Sequence, residues 1–153
     1  TKELYSGLPH FDLLKDYGKH MKVPLIISGN IFSLDDAIKA LKITKASAVM
    51  VARGAIGNPY LITQIDKYLS KKQKIDNISL LENIKYCREL SKALILEKGE
   101  RTAISVLRSI APKFFFNMKD AKKIRCEISQ NINSYHDLDK ILKRVTKELG
   151  YGK

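Results

Sequence analysis

The sequence predicts an α/β segment followed by an all-α segment, and three observations support this fold class. Two short apolar runs, 23–28 and 48–51, each end at a glycine-containing turn and each precede an amphipathic helical pattern. Beyond these units, apolar residues recur only at helical spacing. A polar, lysine-rich stretch separates the two patterns. We therefore predict an α/β domain over 1–69, a linker over 70–78 and a helical domain over 79–153.

The first strand–helix unit is built around residues 23–28. This run is almost continuously apolar, which is typical of a parallel strand buried on both faces. Gly29 ends the strand, and Ser33 is predicted to be the N-cap of a helix over 33–43. Upstream, the apolar spacing predicts one short helix over 11–19.

The second unit repeats this arrangement. The strand over 48–51 is followed by a turn around Arg53, in which residues 52, 54 and 55 are small, and then by a helix over 58–69. Small residues let backbone N–H groups approach a ligand closely, and the N-terminus of a helix attracts anions. This turn is therefore either a phosphate site or a tight structural turn.

Two adjacent units of this kind indicate a larger architecture. A (β/α)₈ barrel, or TIM barrel, uses the loops after its seventh and eighth strands to hold a phosphate. Such a barrel needs about 250 residues. Because the chain opens with Thr1 and contains two such units, we expect six further strands upstream.

The C-terminal part is predicted to contain four helices. A capping box at Ser79 and Glu82 begins the first helix, and Gly99 is suited to its end. Pro112 should kink the second helix or mark its last turns. The predicted spans are 79–98, 101–116, 119–129 and 134–149. The apolar segment 114–116 is predicted to pack between helices, with base stacking as the less favoured alternative.

Charge is concentrated in the C-terminal part. The formal net charge is +12, and residues 70–153 carry 19 of the 28 basic and 10 of the 16 acidic residues. This excess of +9 suggests an acidic partner, of which nucleic acid is the first candidate. An AT-rich genome that favours lysine codons is the alternative explanation.

The remaining residue types suggest no further chemistry. Cys87 and Cys126 occur without a CxxC motif and are predicted to be buried free thiols of a cytoplasmic protein. His10, His20 and His136 are scattered and are predicted to be surface or interface histidines, so no metal site is proposed. The sequence contains neither a signal peptide nor a long uncharged apolar run.

Two segments carry a resemblance to a known family. Ile27-Ser28-Gly29-Asn30-Ile31 and the segment Met50–Pro59 resemble the tRNA-dihydrouridine synthases, which have an Asn-Gly-Asp-Ile turn and a Met-Ile/Val-Gly-Arg-Gly/Ala segment there. Thr1–Gly7 is similar to the continuation of the family's His-x-Arg-Thr motif. The resemblance is close over residues 1–70. In the rest of the chain it concerns the arrangement of helices more than the individual residues.

This resemblance implies an FMN-dependent reduction of uridine to dihydrouridine in tRNA. In the family, reduced FMN gives a hydride to the uracil ring, a loop cysteine protonates it, and NADPH re-reduces the flavin. The cysteine is expected upstream, so no residue of this chain is assigned a catalytic role. We expect a monomer. Two alternatives remain open: an FMN barrel oxidoreductase acting on a small molecule, and a non-catalytic tRNA-binding remnant.

The resemblance also implies the binding residues. Backbone N–H groups in the two turns should face the FMN phosphate, aided by a guanidinium; these cofactor-binding residues are Ser28, Gly29, Asn30, Ala52 and Arg53. Ser28, Asn30 and Ala52 replace the family's Asn, Asp and Gly. Ala52 would fail only if its φ must be positive. In the C-terminal domain, Leu107-Arg108 matches a family Met-Arg pair. The predicted tRNA-binding residues are Arg108, Lys119, Lys122, Lys123 and Arg125.

Overall fold

The computed structural model describes residue 7 and residues 9–116 and 118–150 of the 153-residue chain. It contains two compact units. The sheet unit consists of Thr1–Ala55 and Tyr60–Asp76, and the helical unit consists of Ile56–Pro59 and Asn77–Lys153. The short segment 56–59 therefore groups with the helical unit although elements of the sheet unit flank it.

In the part of the sheet unit that the structure describes, there are two parallel strands, β1 (Ile26–Ser28) and β2 (Ala48–Met50). Ile26 pairs with Ala48, Ile27 with Val49 and Ser28 with Met50. The chain crosses from β1 to β2 through a helix, and a second helix follows β2, as the repeated pattern predicted. Within the described residues, the helices and helical turns of this unit are a 3₁₀ turn Phe11–Leu14, α1 (Tyr17–His20), α2 (Leu34–Thr44), a 3₁₀ turn Arg53–Ala55 and α3 (Tyr60–Lys71).

The prediction that the first strand is buried on both faces is wrong for this chain. Ile27 is buried, whereas Ile26 is 63% exposed. Successive side chains of a strand point to opposite faces of the sheet. Ile27 packs in a cluster with Ala37 of α2 and Leu61 of α3, so these helices cover its face. Within the described residues, the face that bears Ile26 has no comparable cover.

The predicted single helix over 11–19 is also wrong. The 3₁₀ turn and α1 are separated at Asp16, which has a left-handed φ of 57°. The Asp16 N–H donates to the carbonyl of Ile43 at 2.9 Å instead of continuing a helical ladder. A tertiary hydrogen bond thus overrides the local apolar periodicity.

Among the described residues, four α-helices form the helical unit, as predicted in number and order. They are α4 (Leu80–Lys98), α5 (Glu100–Ile110), α6 (Ala121–Asn131) and α7 (Tyr135–Gly150). The predicted capping box is confirmed, because Ser79 and Glu82 satisfy each other's backbone N–H groups. The second helix ends earlier than predicted: a 3₁₀ turn, Ala111–Phe114, replaces the α-helix at Pro112, whose ring cannot donate a hydrogen bond. None of the helices in the described residues is long and apolar enough to span a bilayer.

The segment 56–59 is attached to the helical unit by specific contacts. The Asn83 side-chain amide donates to the carbonyl of Gly57 at 2.9 Å and to that of Phe114 at 3.1 Å. Gly57 has a φ of 85°, and a Cβ built on it would overlap the carbonyl of Lys113. Glycine is therefore required at residue 57 for both its conformation and this close approach.

The core of the helical unit tests two predictions. Phe114 and Phe115 are buried as predicted, but Phe116 is exposed. Cys87 is buried, and its burial raises the pKa of the thiol to about 12. Cys126 is exposed, so the prediction of two buried thiols is wrong for that residue. The fully buried side chains here include Leu107, Phe115, Ile128, Leu138 and Val145.

Candidate functional site

The two turns that follow the strands lie at one edge of the sheet. Because β1 and β2 are parallel and in register, their carboxyl ends are adjacent, with Ser28 opposite Met50. Both of these residues are exposed. The turn after β1 leads into α2, and the turn after β2 contains a short 3₁₀ helix, Arg53–Ala55. This edge is where the predicted cofactor residues meet.

The turn after β1 has an unusual backbone conformation. Gly29 has a φ of 140° and Asn30 a φ of 44°. Asparagine is one of the few residues with a side chain that adopts the left-handed region readily. The Asn30 amide nitrogen also donates to the carbonyl of Gly7 at 3.3 Å. Backbone preference and a long-range hydrogen bond therefore act together to hold this turn.

Arg53 connects the two turns. Its Nη2 donates to Oδ1 of Asn30 at 2.6 Å, and its Cζ lies 5.6 Å from the centre of the Phe32 ring. Arg53 is exposed, so these contacts orient a cation at the surface without burying it. An oriented guanidinium is suited to pairing with a phosphate or carboxylate.

Gly54 allows the two turns to pack closely. The sequence left two interpretations of this small residue open, the close approach of a ligand or a tight structural turn. A Cβ built on this buried glycine would overlap the carbonyl oxygen of Ile31, as expected for a tight structural turn. The absence of a side chain thus lets the two turns pack against each other, which brings Arg53 within reach of Asn30.

The backbone at Ala52 has a conformation that tolerates a side chain. It is not among the residues of positive φ, so its Cβ imposes no backbone strain. Ala52 is exposed, and its carbonyl accepts a hydrogen bond from the N–H of Ala55 at 3.1 Å. Replacing the family's Gly by Ala is therefore compatible with this turn.

The N-terminus of α2 already contains a carboxylate. Oδ2 of Asp36 accepts from the Ser33 hydroxyl at 2.8 Å and from the Phe32 N–H at 3.2 Å, while Ser33 Oγ accepts from the Asp36 N–H. This reciprocal cap confirms Ser33 as the N-cap. An anion at this edge would therefore be held by the turns and Arg53 more than by the α2 helix dipole.

Arg108, in the helical unit, contacts the connection between α6 and α7. Its Nε donates to the carbonyl of Ile132 at 2.9 Å and its Nη2 to Oδ1 of Asn133 at 2.8 Å. It lines a notch of about 400 Å³ that also contains Arg101. Arg108 thus holds the connection before α7, a structural contact that its sequence context did not indicate.

The other predicted RNA-binding residues belong to one segment. Lys119, Lys122 and Lys123 are exposed, and Arg125 is half-buried. A groove of about 690 Å³ lies along α6 and includes Lys122, Lys123 and Arg144. Arg144 is paired with Glu127 through two hydrogen bonds of 3.1 and 2.6 Å, which raises the arginine's pKa and lowers that of Glu127.

Sequence reasoning missed Phe32 at these sites, and it favoured packing over base stacking for Phe116, which is exposed. Phe32 provides the ring beneath Arg53, and Phe116 provides an exposed ring beneath Arg125. The only sequence signal for Phe32 was a large apolar residue directly before an N-cap. For Phe116, the signal was an aromatic residue three positions before a basic segment, which its two buried neighbours obscured.

The fold and the sites define a class of protein: a parallel α/β unit with a cation at the carboxyl edge of its strands, and a separate basic helical unit. The profile of the family described as "Dihydrouridine synthase" matches residues 2–149. The chain therefore belongs to the dihydrouridine synthase family.

Individual relatives agree with this assignment. A probable tRNA-dihydrouridine synthase of Rickettsia conorii is 32% identical over 106 residues, which cover 69% of this chain and 32% of the relative. tRNA-dihydrouridine synthase B of Pasteurella multocida is 30% identical over 104 residues, which cover 65% of this chain and 31% of the relative. The corresponding protein of Shewanella oneidensis is 26% identical over 127 residues, which cover 83% of this chain and 39% of the relative. The chain thus spans about a third of the length of these curated relatives.

Proposed function

We propose that this chain is the C-terminal part of an FMN-dependent tRNA-dihydrouridine synthase that uses NADPH as reductant. In this proposal the sheet unit forms the last two βα units of a (β/α)₈ barrel, and the helical unit binds tRNA. In this proposal the segment 70–78, which begins with the last residues of α3, links the two domains. The observation that carries the proposal is the hydrogen bond between Arg53 and Asn30, which places a cation between the two turns.

The residues of the sheet unit fit an FMN phosphate. Arg53 offers positive charge at the edge where both strands end, and Ala52 introduces no backbone strain. Asn30, in place of the family's Asp, removes a negative charge from the neighbourhood of a phosphate. Ser28, Gly29, Asn30, Ala52 and Arg53 would hold the phosphate, and FMN, when bound, supplies the hydride for the uridine.

The helical unit supplies the basic surface of the proposal. Lys119, Lys122 and Lys123 are exposed near one end of α6, where they can pair with phosphates without reading sequence. Recognition would then depend mainly on the shape of the tRNA. Arg108 would act indirectly, by holding the chain at Ile132 and Asn133.

The test measures flavin retention and tRNA dihydrouridine formation by the complete protein that carries this chain. Arg53→Ala should weaken FMN binding by about 10- to 100-fold, the value of a charged hydrogen bond. Arg53→Lys should lose less FMN affinity, because lysine keeps the positive charge although it lacks the planar guanidinium group. Lys39→Ala, an exposed change on α2, is the matched control and should retain FMN.

The outcomes separate the alternatives. Unchanged flavin affinity in Arg53→Ala would overturn the cofactor assignment. A flavoprotein that ignores tRNA would indicate a small-molecule oxidoreductase. A protein that binds tRNA without flavin would indicate a non-catalytic remnant.

A further inference from the structure

One aromatic ring of the helical unit lies at the surface beside buried neighbours. Phe114 and Phe115 are buried, whereas Phe116 is 54% exposed. The backbone at Phe115, with φ −114° and ψ 79°, has already left the helical conformation. The chain therefore turns away from the core before Phe116, and this ring contributes less to packing than the two before it.

Arg125 holds the exposed ring in a defined arrangement. Its Cζ lies 5.0 Å from the centre of the Phe116 ring, within the range of a cation–π interaction. Its Nη1 also donates to the carbonyl of Phe115 at 3.0 Å. The guanidinium is thus fixed both to the backbone and to the ring, which restricts the position of each.

The surroundings of the ring are basic. Lys119, Lys122 and Lys123 are exposed, and the segment 119–125 carries a net charge of +3 even with Asp120 included. An apolar protein partner would gain little from this concentration of cations. A single-stranded stretch of RNA can bind both the lysines and the ring, since its phosphates pair with lysines and its bases stack on aromatic rings.

We propose that Phe116, backed by Arg125, is a stacking site for an unpaired base of tRNA. The inference rests on the proposed tRNA-binding function and adds a base contact to a surface otherwise suited to phosphates. It also gives Arg125 a specific role, because the guanidinium orients the ring that the base contacts.

The chain contains no tryptophan, so Phe116→Trp places a single fluorescent reporter at the site. Leu96→Trp is the matched control, because Leu96 is 90% exposed on α4. Each variant of this chain is titrated with an unmodified tRNA transcript and with a fully paired RNA duplex, and circular dichroism verifies its helical content. We expect tRNA to quench the emission of Phe116→Trp, the duplex to leave it unchanged, and Leu96→Trp to respond to neither.

Affinity measurements provide a second readout. Phe116→Leu should weaken tRNA binding by at least about five-fold, the lower range for one stacked base. It should leave the salt dependence unchanged, because no phosphate contact is lost. Lys122→Gln should instead reduce the slope of log affinity against log salt by about one.

The possible failures are distinguishable. If wild-type chain binds tRNA, but Phe116→Trp is not quenched and Phe116→Leu binds normally, stacking is refuted while tRNA binding stands. Equal quenching by the duplex also refutes base stacking. If folded wild-type chain binds no tRNA, the proposed function of the helical unit fails and the stacking site fails with it.

Discussion

Nη2 of Arg53 lies 2.6 Å from Oδ1 of Asn30, so one hydrogen bond joins the turn after β1 to the turn after β2. Twenty-three positions separate the two residues along the chain. The bond forms because parallel strands bring their carboxyl ends together and because Gly54 lets the turns approach. The geometry of this edge therefore depends on three residues, each of which can be tested.

Substitutions at Asn30 separate its backbone role from its side-chain role. Asn30→Gly keeps the φ of 44° accessible but removes the acceptor for Arg53, whereas Asn30→Ala removes both. We expect Asn30→Ala to have a free energy of unfolding about 1 kcal/mol below that of Asn30→Gly, because a left-handed alanine is strained. Asn30→Asp should be nearest to wild type. Urea unfolding measures the series, and equal losses in the Ala and Gly variants would refute the backbone contribution.

Gly54→Ala should disrupt the contact between the turns. The added methyl group would overlap the carbonyl oxygen of Ile31, and backbone must move to accommodate it. We expect a loss of about 1–3 kcal/mol in the free energy of unfolding, as for other overpacked sites. Gly150→Ala is the control, because nothing lies within 4 Å of a Cβ there. Thermal unfolding compares them, and a stable Gly54→Ala with an unchanged midpoint would contradict the observed packing.

The two thiols should differ sharply in reactivity. Cys87 is buried with a pKa raised to about 12, whereas Cys126 is exposed. Because the thiolate is the reactive form, we expect iodoacetamide at about pH 8 to modify Cys126 in the native chain and Cys87 only after unfolding. Mass spectrometry of the wild type and of Cys126→Ser measures this. Rapid labelling of native Cys126→Ser would show that Cys87 is accessible.

The helical unit should lose stability in acid. Backbone N–H groups of Asn133 and Ser134 donate to Asp137 and lower its pKa below the ordinary 3.8. The Ser79 N–H and hydroxyl lower the pKa of Glu82 below 4.5 in the same way. A carboxylate with a lowered pKa stabilises the folded state above its unfolded pKa, and this contribution is lost as the pH falls through the folded pKa.

The denaturation midpoint should therefore be nearly constant from about pH 7 to 5 and fall below about pH 4.5. Asp137→Asn should be less stable than wild type at neutral pH. It should lose less stability on acidification, since the asparagine side chain does not take up a proton. Urea unfolding followed by circular dichroism at several pH values measures both effects. Parallel curves for the two proteins would show that Asp137 does not contribute to the acid sensitivity.

Much of the helical structure could be predicted from the sequence because its determinants are local. Ser33 and Ser79 cap helices through residues three positions away, and the apolar periodicity of α4 and α7 identifies their buried faces. The predicted helix over 11–19 was wrong because Asp16 bonds to Ile43, a contact outside any local window.

The sequence by itself determined the order of elements, the helix starts, the parallel strand pair and the resemblance to the dihydrouridine synthases. The helix starts depend on interactions between residues a few positions apart, whereas the order of elements, the strand pair and the resemblance follow from repeated patterns and motifs in the sequence. The tertiary structure decided that Gly54 serves the contact with Ile31, that Arg108 holds the chain before α7, and that Phe116 is exposed. Each of these depends on groups distant in sequence, whose proximity and burial are set only when the helices and strands pack.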